Sequence, residues 1–62
     1  MGVIEFEDPM TLAWHEADRQ DFEVFVAYLI RRQPPMVYRY REGTRAVMLW
    51  PEERMGEVVD CG

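Results

Sequence analysis

Hydrophobic and polar positions alternate at both ends of this chain and follow a helical period in its middle. Over residues 3–7, Ile4 and Phe6 point one way and Val3, Glu5 and Glu7 the other, the signature of a half-buried strand. Asp8-Pro9 follows and suits the first two positions of a type I turn. Residues 10–15 alternate again, with Leu12 and Trp14 opposed to Thr11, Ala13 and His15. Together 3–7 and 10–15 read as a hairpin. A competing reading makes Asp8 an N-cap and Pro9 the first residue of a helix.

Residues 16–32 carry the helical pattern. Phe22, Phe25, Val26 and Leu29 fall at i, i+3, i+4 and i+7 and form one apolar stripe, which Val24 and Tyr28 widen on a second flank. Glu16, Asp18, Asp21 and Glu23 lie in the first turns and Arg31 and Arg32 in the last, so both ends complement the helix dipole. Pro34-Pro35 stops the helix by removing backbone donors and clashing with the preceding turn. Residues 36–41 and 45–50 then read as a second hairpin, with Gly43 supplying the positive φ of a tight turn. Its register stays open between a pairing of Tyr40 with Thr44 and one of Arg41 with Thr44. In either, Met36, Tyr38 and Tyr40 share one face and Val37, Arg39 and Arg41 the other. Pro51 ends the last strand, and residues 57–61 have the pattern of a short edge strand. The expected fold is α+β and ββαββ: a four-stranded, mainly antiparallel sheet with one helix on one face, as a single domain over 1–62.

Composition narrows what such a domain can do. A chain of 62 residues buries only about 60% of the surface it exposes when unfolded, so its core must be dense. The material is present: 48% of residues are hydrophobic, with two Trp, three Tyr and three Phe. No disulfide within the chain is possible with one cysteine, Cys61, and a zinc site is not expected, because His15 is the one histidine. Cys61 has Val59 and Asp60 before it and no cation to activate its thiol. No phosphate loop, dinucleotide fingerprint or nucleophile elbow occurs. The expectation is therefore a binding protein, not an enzyme, with no cofactor and no metal. No apolar run has the length of a membrane span and no signal-peptide pattern is seen, which points to the cytoplasm.

Charge is divided along the chain. The formal net charge is -5, yet residues 1–30 carry seven acids against Arg19, while residues 31–45 carry five arginines against Glu42. If the first hairpin leads into the helix N-terminus, Glu5, Glu7, Asp8, Glu16, Asp18, Asp21 and Glu23 gather into an acidic face, supported by Glu52 and Glu53. Such a face repels nucleic acid and attracts basic grooves. Carboxylates one strand step or one helical turn apart are spaced roughly as duplex phosphates are. The alternative site is Arg39, Arg41 and Arg45, arginines interleaved with Tyr38 and Tyr40 as in surfaces that stack and hold single-stranded nucleic acid. A third class is an antitoxin or small structural protein whose partner covers apolar surface near Trp14 or Trp50.

In size, acidity, lack of a catalytic motif and mixed α/β plan, the chain resembles small phage-encoded anti-CRISPR proteins, particularly acidic ones directed at type I systems, type I-C foremost. The resemblance implies a monomeric inhibitor in the bacterial cytoplasm. Its partner would be a Cascade-type surveillance complex whose access to DNA it blocks, as a DNA mimic. The arginines of 31–45 depart from a uniformly acidic mimic and would confine mimicry to one face.

Overall fold

The computed structural model describes residues 2–17 and 22–61. Its elements are β1 (Val3–Glu7), β2 (Trp14–Glu16), α1 (Phe22–Arg32), β3 (Val37–Glu42), β4 (Arg45–Trp50), a 3₁₀ turn (Glu52–Arg54) and β5 (Val58–Asp60). The strands form one sheet in the order β2-β1-β3-β4-β5, and every neighbouring pair is antiparallel. The α+β plan with a single helix therefore stands among the described residues, but the sheet has five strands where four were expected. The tail supplies the fifth by pairing Val58, Val59 and Asp60 with Val47, Ala46 and Arg45.

Alternation in the strands creates two unlike faces. Ile4 lies opposite Tyr40 and Phe6 opposite Tyr38, so these four share the face that α1 covers. Phe25 and Leu29 of α1 pack there with Ile4, Tyr38, Leu49 and Trp50, and Phe25 meets the Tyr38 ring at 5.4 Å. Leu49 and Trp50 are consecutive yet both reach this core. The register between β3 and β4 shifts after Tyr38: Tyr38 faces Trp50 while Arg39 faces Met48, which leaves Leu49 as the extra residue of a bulge. The Trp50 indole N–H donates to the Pro34 carbonyl at 2.8 Å, which ties the strand to the segment after the helix.

Four local readings need correction. The strand expected over 10–15 is confined to β2 (Trp14–Glu16). Residues 8–13 form a closed loop instead, because Asp8 and Thr11 side chains capture backbone N–H groups that a strand would have paired. The helical alternative fails too: Leu12 N–H reaches the Asp8 carbonyl at 2.7 Å, one helical turn, but Leu12 then takes a φ of 61° and the turn does not continue. The helix expected from residue 16 begins later in the described chain, since Glu16 belongs to β2 and Ala17 N–H donates to the Ile4 carbonyl. Positions 18–21 of that expected helix lie outside the described residues. At the other end Gln33 adopts a φ of 48° and donates to the Leu29 carbonyl, closing α1 before Pro34-Pro35. Within α1, Phe25 and Leu29 are buried and Val26 half-buried, whereas Val24 and Tyr28 are exposed and do not widen the buried stripe.

The second hairpin takes neither register considered from sequence. Glu42 pairs with Arg45 around Gly43-Thr44, one residue further along. Gly43, with φ 64°, occupies the first central position, where a type II′ turn takes glycine.

Candidate partner-binding surface

Across the sheet from the helix, the side chains are a mixture of charge and aromatic surface. Register places Trp14 and Glu16 of β2, Glu5 and Glu7 of β1, and Arg39 and Arg41 of β3 on this face. Glu5 sits in the middle strand of these three and is only 8% exposed. Its Oε1 accepts from Arg39 Nε at 3.0 Å and from Arg41 Nε at 2.9 Å. Arg39 reaches across β1 to lay its guanidinium over the Trp14 ring, 3.9 Å from the centroid. Arg41 donates a further bond to the Gly43 carbonyl at 3.1 Å. A carboxylate this buried is tolerated because two cations and two hydrogen bonds replace its water. Ala46 and Met48, the cross-strand neighbours of Arg41 and Arg39, are buried but do not belong to the core beneath the helix. Long arginine stems beside them provide apolar cover while their charged heads turn to Glu5.

This arrangement decides the fate of both sets of candidate residues. Glu5 does not join an acidic docking face, because its charge is spent on Arg39 and Arg41. For the same reason Arg39 and Arg41 are held inward, and Arg45 stands exposed at the turn. Tyr38 is buried and Tyr40 half-buried on the opposite face, so the Tyr-Arg alternation divides between core and surface. Burial, and secondly the nearby Tyr28, push the Tyr38 phenol above its ordinary pKa.

The remaining acids fall into groups. β1 and β4 both finish at one end of the sheet, bringing Glu7 and Asp8 to the same end as Glu52 and Glu53 on the 3₁₀ turn. Arg54 lies there as well and is tied to Glu57 by a 3.0 Å ion pair. That hydrogen bond holds the Glu57 carboxyl below its ordinary pKa and raises Arg54, to which the charge of Glu7 also contributes. Glu16 lies on the open face diagonal to Glu7, within reach of a shared partner. Glu23 stands in the first turn of α1 on the covered side, and Arg31 and Arg32 end that helix on the other side of the sheet from Glu7. Asp18 and Asp21 lie outside the described residues. The single continuous acidic face expected from sequence is thus reduced, among the described residues, to an acidic end (Glu7, Asp8, Glu52, Glu53) with Glu16 beside it.

Two further features were not anticipated. The loop before β2 presents Met10 and Leu12, 89% and 66% exposed. Their alternation with Thr11 and Ala13 mimicked a strand, and the sequence signals for the loop were the turn-forming residues Asp8, Pro9 and Thr11. The second feature is an apolar cleft of about 240 Å³ between α1 and β4, lined by Phe22, Val26, Val47, Leu49 and Met55 with Glu23 at its edge. His15 is exposed and stacks its ring against Phe6 at 5.5 Å, and the Cys61 N–H pairs with the Thr44 carbonyl at the end of β5. No helix among the described residues is long and apolar enough to cross a membrane. No protein-family model, curated protein or solved structure matches this chain.

Proposed function

We propose that the chain is a non-enzymatic inhibitor that binds a basic, nucleic-acid-binding groove of a host complex and keeps DNA out of it. The observation that carries this reading is the acidic end of the sheet, where Glu7, Asp8, Glu52 and Glu53 gather and the nearby Arg54 is occupied by Glu57. Carboxylates so grouped act as phosphate surrogates toward Lys and Arg of a partner. Glu16 extends the group along the open face. The inward commitment of Arg39 and Arg41 to Glu5 supports the same reading from the other side, because a phosphate would have to displace an internal carboxylate to reach either guanidinium. A Cascade-type surveillance complex of a type I CRISPR system is the partner class that the resemblance to small acidic anti-CRISPR proteins implies. Mimicry would be local, confined to this end.

The test is competition. A purified type I-C Cascade complex is titrated with the chain and its binding to a target duplex is followed at about 150 mM salt. Inhibition is expected from the native chain, and reversal to Lys at Glu7, Glu16, Glu52 and Glu53 together should weaken it about 100-fold and flatten its salt dependence. The chain itself should shift no DNA at low salt. Unchanged inhibition by the reversed variant, or direct DNA binding by the native chain, would overturn the reading.

A further inference from the structure

Residues 8–13 carry the two most exposed large hydrophobic side chains among the described residues, Met10 and Leu12, and the segment is closed by its own hydrogen bonds. Asp8 N–H donates to the Ala13 carbonyl at 2.9 Å and Leu12 N–H to the Asp8 carbonyl at 2.7 Å. The Asp8 carboxylate accepts from Met10 N–H at 2.8 Å and the Thr11 hydroxyl from Ala13 N–H at 3.3 Å. Four hydrogen bonds therefore close six residues around two apolar side chains that point into water. Leu12 adopts a φ of 61°, a left-handed conformation that leucine rarely takes, and its side chain gains no burial in return. Strain of this kind without compensation within the fold is a mark of a segment shaped for something outside it.

We propose that the 8–13 loop is a preformed apolar plug that inserts Met10 and Leu12 into a hydrophobic pocket of a protein partner, a pocket rimmed by Lys or Arg. This rests on the binding reading above and deepens it by naming the anchor. The surroundings select the partner class. Glu7 and Asp8 stand at the base of the loop and Glu52 and Glu53 at the same end of the sheet. An apolar centre with a charged rim is the anatomy of a protein interface, and the rim's sign demands a basic counterpart. The same acids oppose insertion into an anionic lipid surface, and two copies meeting loop to loop would bring their carboxylates together. The bonded loop geometry removes much of the ordering cost of binding, and methionine adapts its flexible side chain to the pocket it enters.

The test combines Met10→Ala with Leu12→Asn. Asparagine tolerates the left-handed backbone, so the loop keeps its shape and the thermal midpoint should not fall. Binding to the purified Cascade complex should weaken at least about 10-fold, as expected when an interface anchor is truncated, with its salt dependence unchanged. Acid reversal alters that salt dependence, so the two contributions separate. Affinity within about twofold of native would overturn the proposal. So would binding of the native chain to vesicles containing 30% anionic lipid, or a dimer in sedimentation that the double variant abolishes. If the native chain does not bind Cascade at all, the functional reading fails, and the loop is judged by cross-linking from host lysate. A photoreactive benzoylphenylalanine at position 10 should then label one protein, at an apolar pocket flanked by Lys or Arg, and Leu12→Asn should abolish the adduct. Labelling no stronger than from position 24 on the helix overturns it.

Discussion

The two faces of this sheet are made by the same strands and held by different forces. Beneath α1, Ile4, Phe25, Leu29, Tyr38, Leu49 and Trp50 interlock as an apolar core. On the other face no second layer is described, and the middle of the sheet is strapped instead by Arg39 and Arg41 across Glu5, with Trp14 beneath one guanidinium. One helix of 11 residues spans only part of a five-stranded sheet. Among the described residues no further element covers the second face, and long side chains do the work of a layer: their stems shield apolar neighbours and their heads satisfy a buried charge. The comparison teaches that Arg39 and Arg41, two of the five arginines of residues 31–45, serve the sheet itself, and that an apparent nucleic-acid motif can be the outer half of an ordinary strand.

The sharpest way to break the comparison is to open the covered face. Leu29 is fully buried. Leu29→Ala removes its packing and leaves a cavity, at a cost of about 3–5 kcal/mol. A domain of this size holds only about 3–9 kcal/mol in total, so the variant should be largely unfolded at 37 °C by circular dichroism. A cooperative transition within a few degrees of the native one would mean that the core lies elsewhere.

The open face should respond less and in a different manner. Glu5→Gln leaves the paired guanidinia without their counter-charge, and a loss of about 2 kcal/mol is expected, below the range for a fully buried pair because Arg41 is partly exposed. The triple variant Glu5→Leu, Arg39→Met, Arg41→Met removes the charges together and should recover most of that loss, since apolar residues of similar volume can replace a buried ionic group. Measured by urea denaturation, a triple variant as unstable as Glu5→Gln would show that the arginines act as packing and not as counter-ions.

How much of this was legible in the sequence follows from range. The alternations of Ile4/Phe6 and of Tyr38/Tyr40 against Arg39/Arg41 assigned faces correctly, because a two-residue period is a local property of extended backbone. Phe25 and Leu29 were found by helical spacing for the same reason. Residues 10–13 misled because side-chain bonds from Asp8 and Thr11 outcompeted a plausible strand pattern. The bulge at Leu49 reverses no pattern a reader can see; it is a register shift between strands. Strand order was out of reach, and with it the placement of β1 beside β3 that delivers Glu5 to two arginines. The acidic face therefore shrank: its members were chosen by proximity along the chain, and tertiary pairing removed Glu5 and turned Glu23 to the other side.

A pH titration separates the faces by the smallest of these effects. The Tyr38 phenol lies on the covered face with its pKa raised by burial, the Tyr28 charge adding to the shift. A group whose pKa is higher in the folded state stabilises the fold in its protonated form. That contribution is complete below the unfolded value of about 10 and is lost as pH climbs from there through the folded value. Thermal midpoints should therefore fall as pH rises above about 10, and Tyr38→Phe should remove that part of the slope while Glu5→Gln leaves it in place. If the alkaline loss survives in Tyr38→Phe, another group carries it, and the assignment of the titration to the helix-covered face is wrong.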